Sequence, residues 1–275
     1  MARARRSQSR KKPLTPTGIL RIDSWQPEQP CTIGEYVSAV SEYVRRSRQL
    51  LAGPKKSGQI RLSQMLGRAL ADELQQRLPQ LKHIAVGETK VSGALRSVNA
   101  DVSEIHPIDG LRLAIELKPV NLAVGRAVWN RFGDIRTFAV NLHLKFPFCV
   151  IGGVLVIPTY EEVGTKAAAE AEAAEAAVEG DAESDPQRAI LPETEPALRH
   201  KDTRPVINRA VARLVRAGGR KTEADAAHLL EGIAVIVYDP DTSSLDLGIP
   251  PVGSGLRWNE FIDALVASYE ARFED

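Results

Sequence analysis

Residues 100–119 read ADVSEIHPIDGLRLAIELKP, a pattern typical of two short strands joined by a tight turn. The turn falls at residues 107–110, where Pro, Ile, Asp and Gly follow one another. On the second strand, Glu116 and Lys118 are expected to point to the same side, because successive side chains alternate across a strand. The pattern therefore places an acid and a cation on one face of a hairpin.

The register of this hairpin decides whether Asp101 joins them. A turn centred on residues 108–109 places Asp101 opposite Glu116, and a turn centred on residues 109–110 places it opposite Lys118. In both registers the three side chains share a face. A three-residue loop would shift the pairing by one residue and send Asp101 to the other face.

Two converging carboxylates form a hard oxygen site of the kind that Mg²⁺ prefers, since this ion is usually held by one or two carboxylates plus substrate phosphate. Asp101 and Glu116 are thus the predicted metal ligands, for Mg²⁺ or for Mn²⁺ as its substitute. The ammonium group of Lys118 is suited to orient or deprotonate a metal-bound water, or to neutralise charge on the phosphate. The predicted chemistry is metal-assisted hydrolysis of a phosphodiester, with Asp101, Glu116 and Lys118 as the catalytic residues.

At these residues the sequence resembles the PD-(D/E)XK nuclease superfamily, the restriction-endonuclease-like enzymes. Their pattern is an Asp at the start of one strand and Glu/Asp-X-Lys on the next; Asp101 and the Glu-Leu-Lys run at 116–118 match it, with the Asn-Ala pair at 99–100 in place of the usual preceding Pro. The resemblance implies an α/β fold with a restriction-endonuclease-like core, in which helices flank a mixed central sheet. It also implies a Mg²⁺-dependent DNA endonuclease of the restriction or phage-defence kind.

The same residues allow other interpretations. Glu116 and Lys118 would be an ordinary solvated strand face with a cross-strand ion pair, although the strand is otherwise apolar and bare charges are costly there. A non-catalytic DNA-binding or assembly protein that retains the nuclease fold would be expected to have a broken acidic constellation, and here all three residues are present. A metal-free α/β enzyme is disfavoured, because the sequence has no nucleophile elbow and no supported Cys-His pairing.

Length, charge and cysteine content restrict the class of protein and its compartment. With 275 residues, of which 43% are hydrophobic, the chain is expected to be globular. The net charge of +1 does not by itself indicate nucleic acid, so that argument depends on local clusters. Cys31 and Cys149 lie far apart without metal-ligand spacing, which favours a reduced, cytoplasmic setting. No secretory signal and no membrane-spanning run are recognisable.

Composition divides the chain into a basic N-terminal segment and a single domain that contains an acidic insertion. Residues 1–17 carry six basic side chains and no acid, which predicts a disordered basic arm that contacts phosphates or only aids solubility. Residues 18–275 are predicted to form a single nuclease domain with an N-terminal helical extension. Residues 164–187 are dominated by Ala and Glu and are predicted to be a mobile acidic insertion. DNA is the expected partner, with a homodimer as one arrangement, since cutting both strands usually calls for two active sites.

Periodicity predicts the remaining elements. A first helix covers 31–51, with a capping box at Thr32 and Glu35, and a second covers 63–78. Residues 83–88 form a strand, and residues 91–98 are its continuation or its partner. The later elements are a long helix at 121–146, or two helices broken near Gly133, followed by a buried strand at 148–157, a basic helix at 202–217, strands at 231–238 and 244–248, and a closing helix at 258–273.

Four groups of residues outside the hairpin are candidates for accessory roles: Glu88, Arg126, Asn130 and the basic face of the helix at 202–217. Glu88 is either an additional upstream carboxylate of the site or a surface turn residue. Arg126 and Asn130 are candidates for orienting a phosphate or the attacking water; the alternative is that both only face solvent on the polar side of the helix. The outer face of the basic helix is expected to contact DNA phosphates and to border the same cleft as Asp101, Glu116 and Lys118. Its predicted DNA-binding residues are Arg204, Arg209, Arg213 and Arg216, in a cluster that continues to Arg220 and Lys221.

Overall fold

The computed structural model describes residues 20–46, 52–120, 124–164 and 198–273. The predicted basic arm at 1–17 lies outside these residues, and so does the predicted acidic insertion except for its first residue, Gly164. The helices are α1 (Arg21–Ser24), α2 (Ile33–Arg46), α3 (Ala52–Arg77), α4 (Val124–His143), α5 (Arg204–Leu214) and α6 (Trp258–Phe273). The strands are β1 (Ile84–Ser92), β2 (Ser97–His106), β3 (Gly110–Pro119), β4 (Val150–Pro158), β5 (Tyr160–Gly164), β6 (Leu198–Asp202), β7 (Gly232–Asp239) and β8 (Ser244–Leu245).

Six strands form the central sheet, in the order β1-β2-β3-β4-β7-β8. The pairs β1–β2, β2–β3 and β7–β8 are antiparallel, whereas β3–β4 and β4–β7 are parallel. Strands β5 and β6 pair separately as a small antiparallel ribbon, which the periodicity of the sequence did not predict. The prediction of an α/β fold with a mixed central sheet flanked by helices is confirmed.

An apolar core lies on each face of the sheet. Helices α2, α3 and α6 cover one face, and α4 and α5 cover the other. Along β3, Ala114 belongs to the core under α4 while Ile115 belongs to the core under α3, as strand alternation requires. Strand β4 is buried along its whole length, which explains its continuous apolar run. At its centre, Gly153 lets α4 approach closely, because an added Cβ would lie 2.5 Å from a methyl group of Ile135.

Several predicted boundaries shift. Helix α3 begins at Ala52 rather than at residue 63, so the Gly-Pro pair at 53–54 lies in its first turn. Proline is tolerated in the first turn because the backbone N–H that it lacks would have no hydrogen-bond partner within the helix. The capping box is present, since Thr32 N donates to Glu35 Oε2 at 2.8 Å and Glu35 N donates to Thr32 Oγ1 at 3.2 Å. Residues 91–98 are divided between the end of β1 and the start of β2.

The loop that joins β2 to β3 differs from the turn that either predicted register requires. His106 pairs with Gly110, so the loop between the strands has three residues. A three-residue loop alone would have reversed the face of Asp101. A bulge then intervenes at Arg112, after which Glu104 pairs with Leu113. Because a bulge adds one residue to one strand, it cancels the odd loop and returns the pairing to the register in which Asp101 approaches Glu116.

A buried ion cluster joins the end of the chain to the sheet. Glu231 Oε1 accepts a hydrogen bond from Arg220 Nη1 at 2.9 Å and forms an ion pair with Arg272 Nη2 at 2.8 Å. Its Oε2 accepts one from Ile151 N at 2.8 Å and lies 3.2 Å from His143 Nε2. The prediction that Arg220 belongs to the DNA-facing surface is therefore wrong, because it is buried against Glu231. His143 is buried in the same cluster, and its other ring nitrogen, Nδ1, lies 3.0 Å from Ala227 O.

Replacing Glu231 should test this cluster. Burial raises the pKa of Glu231, but His143 and Arg272 outweigh burial, so its pKa lies below the ordinary value. Glu231→Gln leaves buried cations unpaired and is expected to lower the free energy of unfolding by about 3–5 kcal/mol in urea at pH 7. The effect should shrink as pH falls from about 4.5, the ordinary carboxyl value, through the lower pKa of the folded state, because the unfolded state takes up the proton first and the native carboxylate is protonated only at lower pH. Exposed Glu223 supplies the control, and an equal effect of Glu223→Gln would contradict this assignment.

Candidate active site

The three residues of the predicted constellation meet where β2 and β3 separate. The pairing of the two strands ends at Val102 and Ile115. Just beyond that point, Leu117 N donates to Asp101 Oδ2 at 2.7 Å, so the carboxylate of Asp101 is fixed by the backbone of β3. Glu116 and Lys118 flank this donor on the same strand. All three side chains line one cleft of about 440 Å³.

The cleft has an unusual concentration of charge. Four acids line it: Asp101, Glu116, Glu88 and Asp134. Three cations line it as well, and one of them, Lys118, forms an ion pair with Glu116 Oε1. Carboxylates that share a confined space repel one another unless a cation lies between them. A cleft of this composition is therefore suited to bind a positive ion.

Burial and mutual repulsion both act on the two central acids. Glu116 is 8% exposed, and burial raises its pKa to about 7; Lys118 opposes that rise, while Asp101 and Asp134 add to it. Burial also raises the pKa of Asp101, against the opposing effect of the hydrogen bond from Leu117 N. These environments do not resemble a solvated strand face. The ion pair with Lys118 runs along β3 rather than across strands.

The donor atoms fit Mg²⁺ or Mn²⁺. Among the residues that the structure describes, no group of three or more His, Cys, Asp or Glu side chains is arranged to hold a metal. Mg²⁺ does not require such a group, because it keeps several waters and is commonly held by one or two carboxylates plus substrate phosphate. Asp101 and Glu116 supply that number of hard oxygen donors. A bound cation would also favour the charged form of both carboxylates, against the burial that chiefly raises their pKa values.

The accessory residues divide into two groups. Glu88 lines the cleft from β1, and its Oε2 accepts a hydrogen bond from Asn99 Nδ2 at 2.9 Å. Arg126 and Asn130 are exposed on α4 and are not among the residues that line the cleft. Asp134, which lies one helical turn after Asn130, lines the cleft instead. The four-residue spacing places Asn130 and Asp134 on the same face of α4, so the sequence could have indicated Asp134 as well. Sequence alone does not show which turn of a long helix faces the end of a strand.

The predicted DNA-binding arginines are exposed at α5 and just beyond it; they are Arg204, Arg209, Arg213 and Arg216. The guanidinium of Arg213 lies over the ring of Trp129 on α4, 4.5 Å from the ring centroid. Arg204 interacts with Asp202 at 3.5 Å and with Asp246 at 3.4 Å. No residue of α5 is among those that line the cleft. The prediction that the basic helix borders the cleft is therefore wrong, because α5 packs beside α4 and its basic surface is separate from the acidic cleft.

Comparisons with family models, with curated proteins and with solved structures found no match for this chain. The interpretation of the cleft therefore depends on its own geometry. Among the described helices, none has both the length and the apolar character needed to cross a membrane.

Proposed function

We propose that this protein is a Mg²⁺-dependent DNA endonuclease, a deoxyribonuclease with a restriction-endonuclease-like core of the PD-(D/E)XK type. The observation that carries the proposal is the convergence of Asp101, Glu116 and Lys118 on one cleft. The element order α3, β1, β2, β3, α4, β4 supports it, since a helix, three strands, a helix and a fourth strand follow one another in the core of the superfamily that the sequence resembles. Restriction or phage defence is the proposed setting, with DNA as the partner and a homodimer as the form that cuts both strands.

In this proposal each residue has a separate task. Asp101 and Glu116 hold the cation, and Leu117 N keeps the carboxylate of Asp101 in place. When bound, the metal would supply an activated water and would neutralise charge on the phosphate. Lys118 lies beside Glu116, with 22% of its side chain exposed, so its ammonium can orient the attacking water or stabilise charge that develops on the phosphate.

Incubation with plasmid and linear duplex DNA tests the proposal. Wild-type protein should cut in the presence of Mg²⁺ or Mn²⁺ and not in EDTA. Asp101→Asn should reduce cutting by about 10²–10⁴-fold, because a neutral amide is a poor ligand for a hard cation. Asp263→Asn provides the control, since Asp263 is an exposed acid on α6 that pairs with Arg77 at 2.8 Å. Absence of metal-dependent cutting by a folded wild-type protein would contradict the proposal.

The second candidate is a non-catalytic DNA-binding or assembly protein with the same fold. One observation favours it: the exposed arginines of α5 form a basic surface that is independent of the acidic cleft. Such a protein would bind DNA equally well with or without Mg²⁺ and leave it intact. The cleavage assay therefore separates the two candidates directly.

Charge reversal on α5 is a further test. Arg209→Glu with Arg213→Glu should weaken duplex binding and reduce the magnitude of the slope of log K against log salt by about 0.9 for each phosphate that the protein no longer neutralises, or about 1.8 for both. Fluorescence anisotropy in EDTA at several salt concentrations measures this. Lys82→Glu, at an exposed lysine between α3 and β1, is the control. An unchanged slope for the double variant would remove α5 from the DNA-binding surface.

A further inference from the structure

The turn between β1 and β2 is fastened to α4 by one buried amide. Asn141 is 0% exposed, and its Oδ1 accepts hydrogen bonds from Leu95 N at 2.7 Å and from Arg96 N at 3.1 Å. Its Nδ2 donates to Arg96 O at 2.8 Å, and its backbone carbonyl accepts from Ala94 N at 2.9 Å. The polar atoms of one buried side chain are thus used to hold the turn that carries Arg96.

Two further contacts hold the β1–β2 turn against α4 and the segment that follows it. An added Cβ at Gly93 would lie 2.2 Å from Asn141 Nδ2, so the close approach of the turn requires glycine there. Lys145 Nζ donates to Ser92 O at 2.8 Å, which fastens the end of β1 to the segment after α4. The turn is therefore held in a definite position.

Arg96 and Lys90 line the acidic cleft from this β1–β2 wall. Both are exposed, and within the described parts of the chain neither forms an ion pair, although four carboxylates line the same cleft. Lys118, by contrast, is paired with Glu116. Two free cations beside a proposed cation site are suited to a ligand that carries its own negative charge. A nucleic-acid backbone has this property, because each phosphate can accept two hydrogen bonds from one guanidinium.

We infer that Arg96, with Lys90, binds a backbone phosphate of DNA next to the one that is cut, and that Asn141 is the positioning residue that holds Arg96 in the cleft. The inference rests on the proposed function and deepens it, since it assigns the second phosphate that the protein binds on a DNA strand. It is separate from the α5 surface, which contributes no residue to the cleft. It predicts an effect on substrate binding rather than on the chemical step.

Binding and cleavage of one labelled duplex by a matched set of variants test this inference. Arg96→Ala should raise Kd in EDTA and KM in Mg²⁺ by about tenfold, with kcat within about twofold of wild type. It should also reduce the magnitude of the salt slope of binding by about 0.9, the change expected when one phosphate is no longer neutralised. Lys90→Ala should have a smaller effect of the same kind, and Arg96→Lys should recover part of the affinity because it keeps the charge.

Asn141→Ala should reproduce the rise in Kd and KM and the shallower salt slope although Arg96 is still present. Thermal unfolding of each variant separates this effect from a general failure to fold. Leu95→Ala is the matched control, since Leu95 lies in the same turn and is 71% exposed. If Asn141→Ala changes stability without changing Kd, KM or the salt slope, its positioning role is overturned.

The outcomes also separate this inference from the proposed function. Normal binding and cutting by both Arg96→Ala and Lys90→Ala would overturn the phosphate site while the nuclease stands. A wild-type protein that binds the duplex through Arg96 but never cuts it would overturn the nuclease while the phosphate site stands. A wild-type protein that does not bind DNA would overturn both.

Discussion

Lys118→Ala should lower the rate of Mg²⁺-dependent DNA cleavage by about 10²–10⁴-fold while leaving the fold and the affinity for DNA close to those of wild type. Its Nζ pairs with Glu116 at the edge of the cleft, and its side chain belongs to neither apolar core. In the proposed mechanism, the substitution removes a charge that is needed near the transition state, while every member of the two apolar cores stays in place. Single-turnover cleavage with excess enzyme measures the chemical step, and anisotropy in EDTA measures binding.

Two variants make this test specific. Lys82→Ala removes an exposed lysine between α3 and β1 and should cut at the wild-type rate. Lys118→Arg keeps the charge but changes its shape, and should recover only part of the rate if the ammonium must reach a particular oxygen. A Lys118→Ala protein that cuts DNA normally would show that the active site has been placed in the wrong part of the chain.

Glu116→Gln should abolish cleavage and yet stabilise the metal-free protein at pH 8. In the folded protein the pKa of Glu116 is about 7, above the ordinary carboxyl value of 4.5, chiefly because the group is buried. The folded state therefore binds this proton more tightly than the unfolded state does, so the contribution of Glu116 to stability declines as pH rises from about 4.5 to about 7. Gln imitates the protonated form and avoids this cost, which is on the order of 1–3 kcal/mol.

Urea unfolding in EDTA at pH 4 and pH 8 measures the difference. Glu116→Gln should be the more stable protein at pH 8 and nearly equal to wild type at pH 4, where the carboxyl is protonated in both states. Mg²⁺ should stabilise wild type and have little effect on the variant, because ligand that binds only the folded state shifts the equilibrium toward it. Destabilisation by Glu116→Gln at pH 8 would show that Glu116 serves the fold rather than a cation.

Local patterns were enough to predict much of the fold and the centre of the site. The helical period at 258–273 gave α6 with its observed bounds, and the apolar run near 148–157 gave the fully buried β4. Alternation along β3 placed Glu116 and Lys118 on one face. Each of these features depends on residues within one or two turns or strand repeats, so the sequence by itself contains the necessary information.

Other features depended on residues that are distant in sequence. The bulge at Arg112 decided the face of Asp101, and no rule for loop length would have predicted that it cancels a three-residue loop. The packing of α4 on the sheet decided that Asp134, rather than Asn130, lines the cleft. Arg220 was predicted to lie on the surface because it belongs to a run of basic residues. It is buried because it pairs with Glu231, which also pairs with Arg272 from α6. The sequence determined which side chains share a face, whereas the tertiary structure decided which faces meet, because contacts between distant segments are set by packing and not by local periodicity.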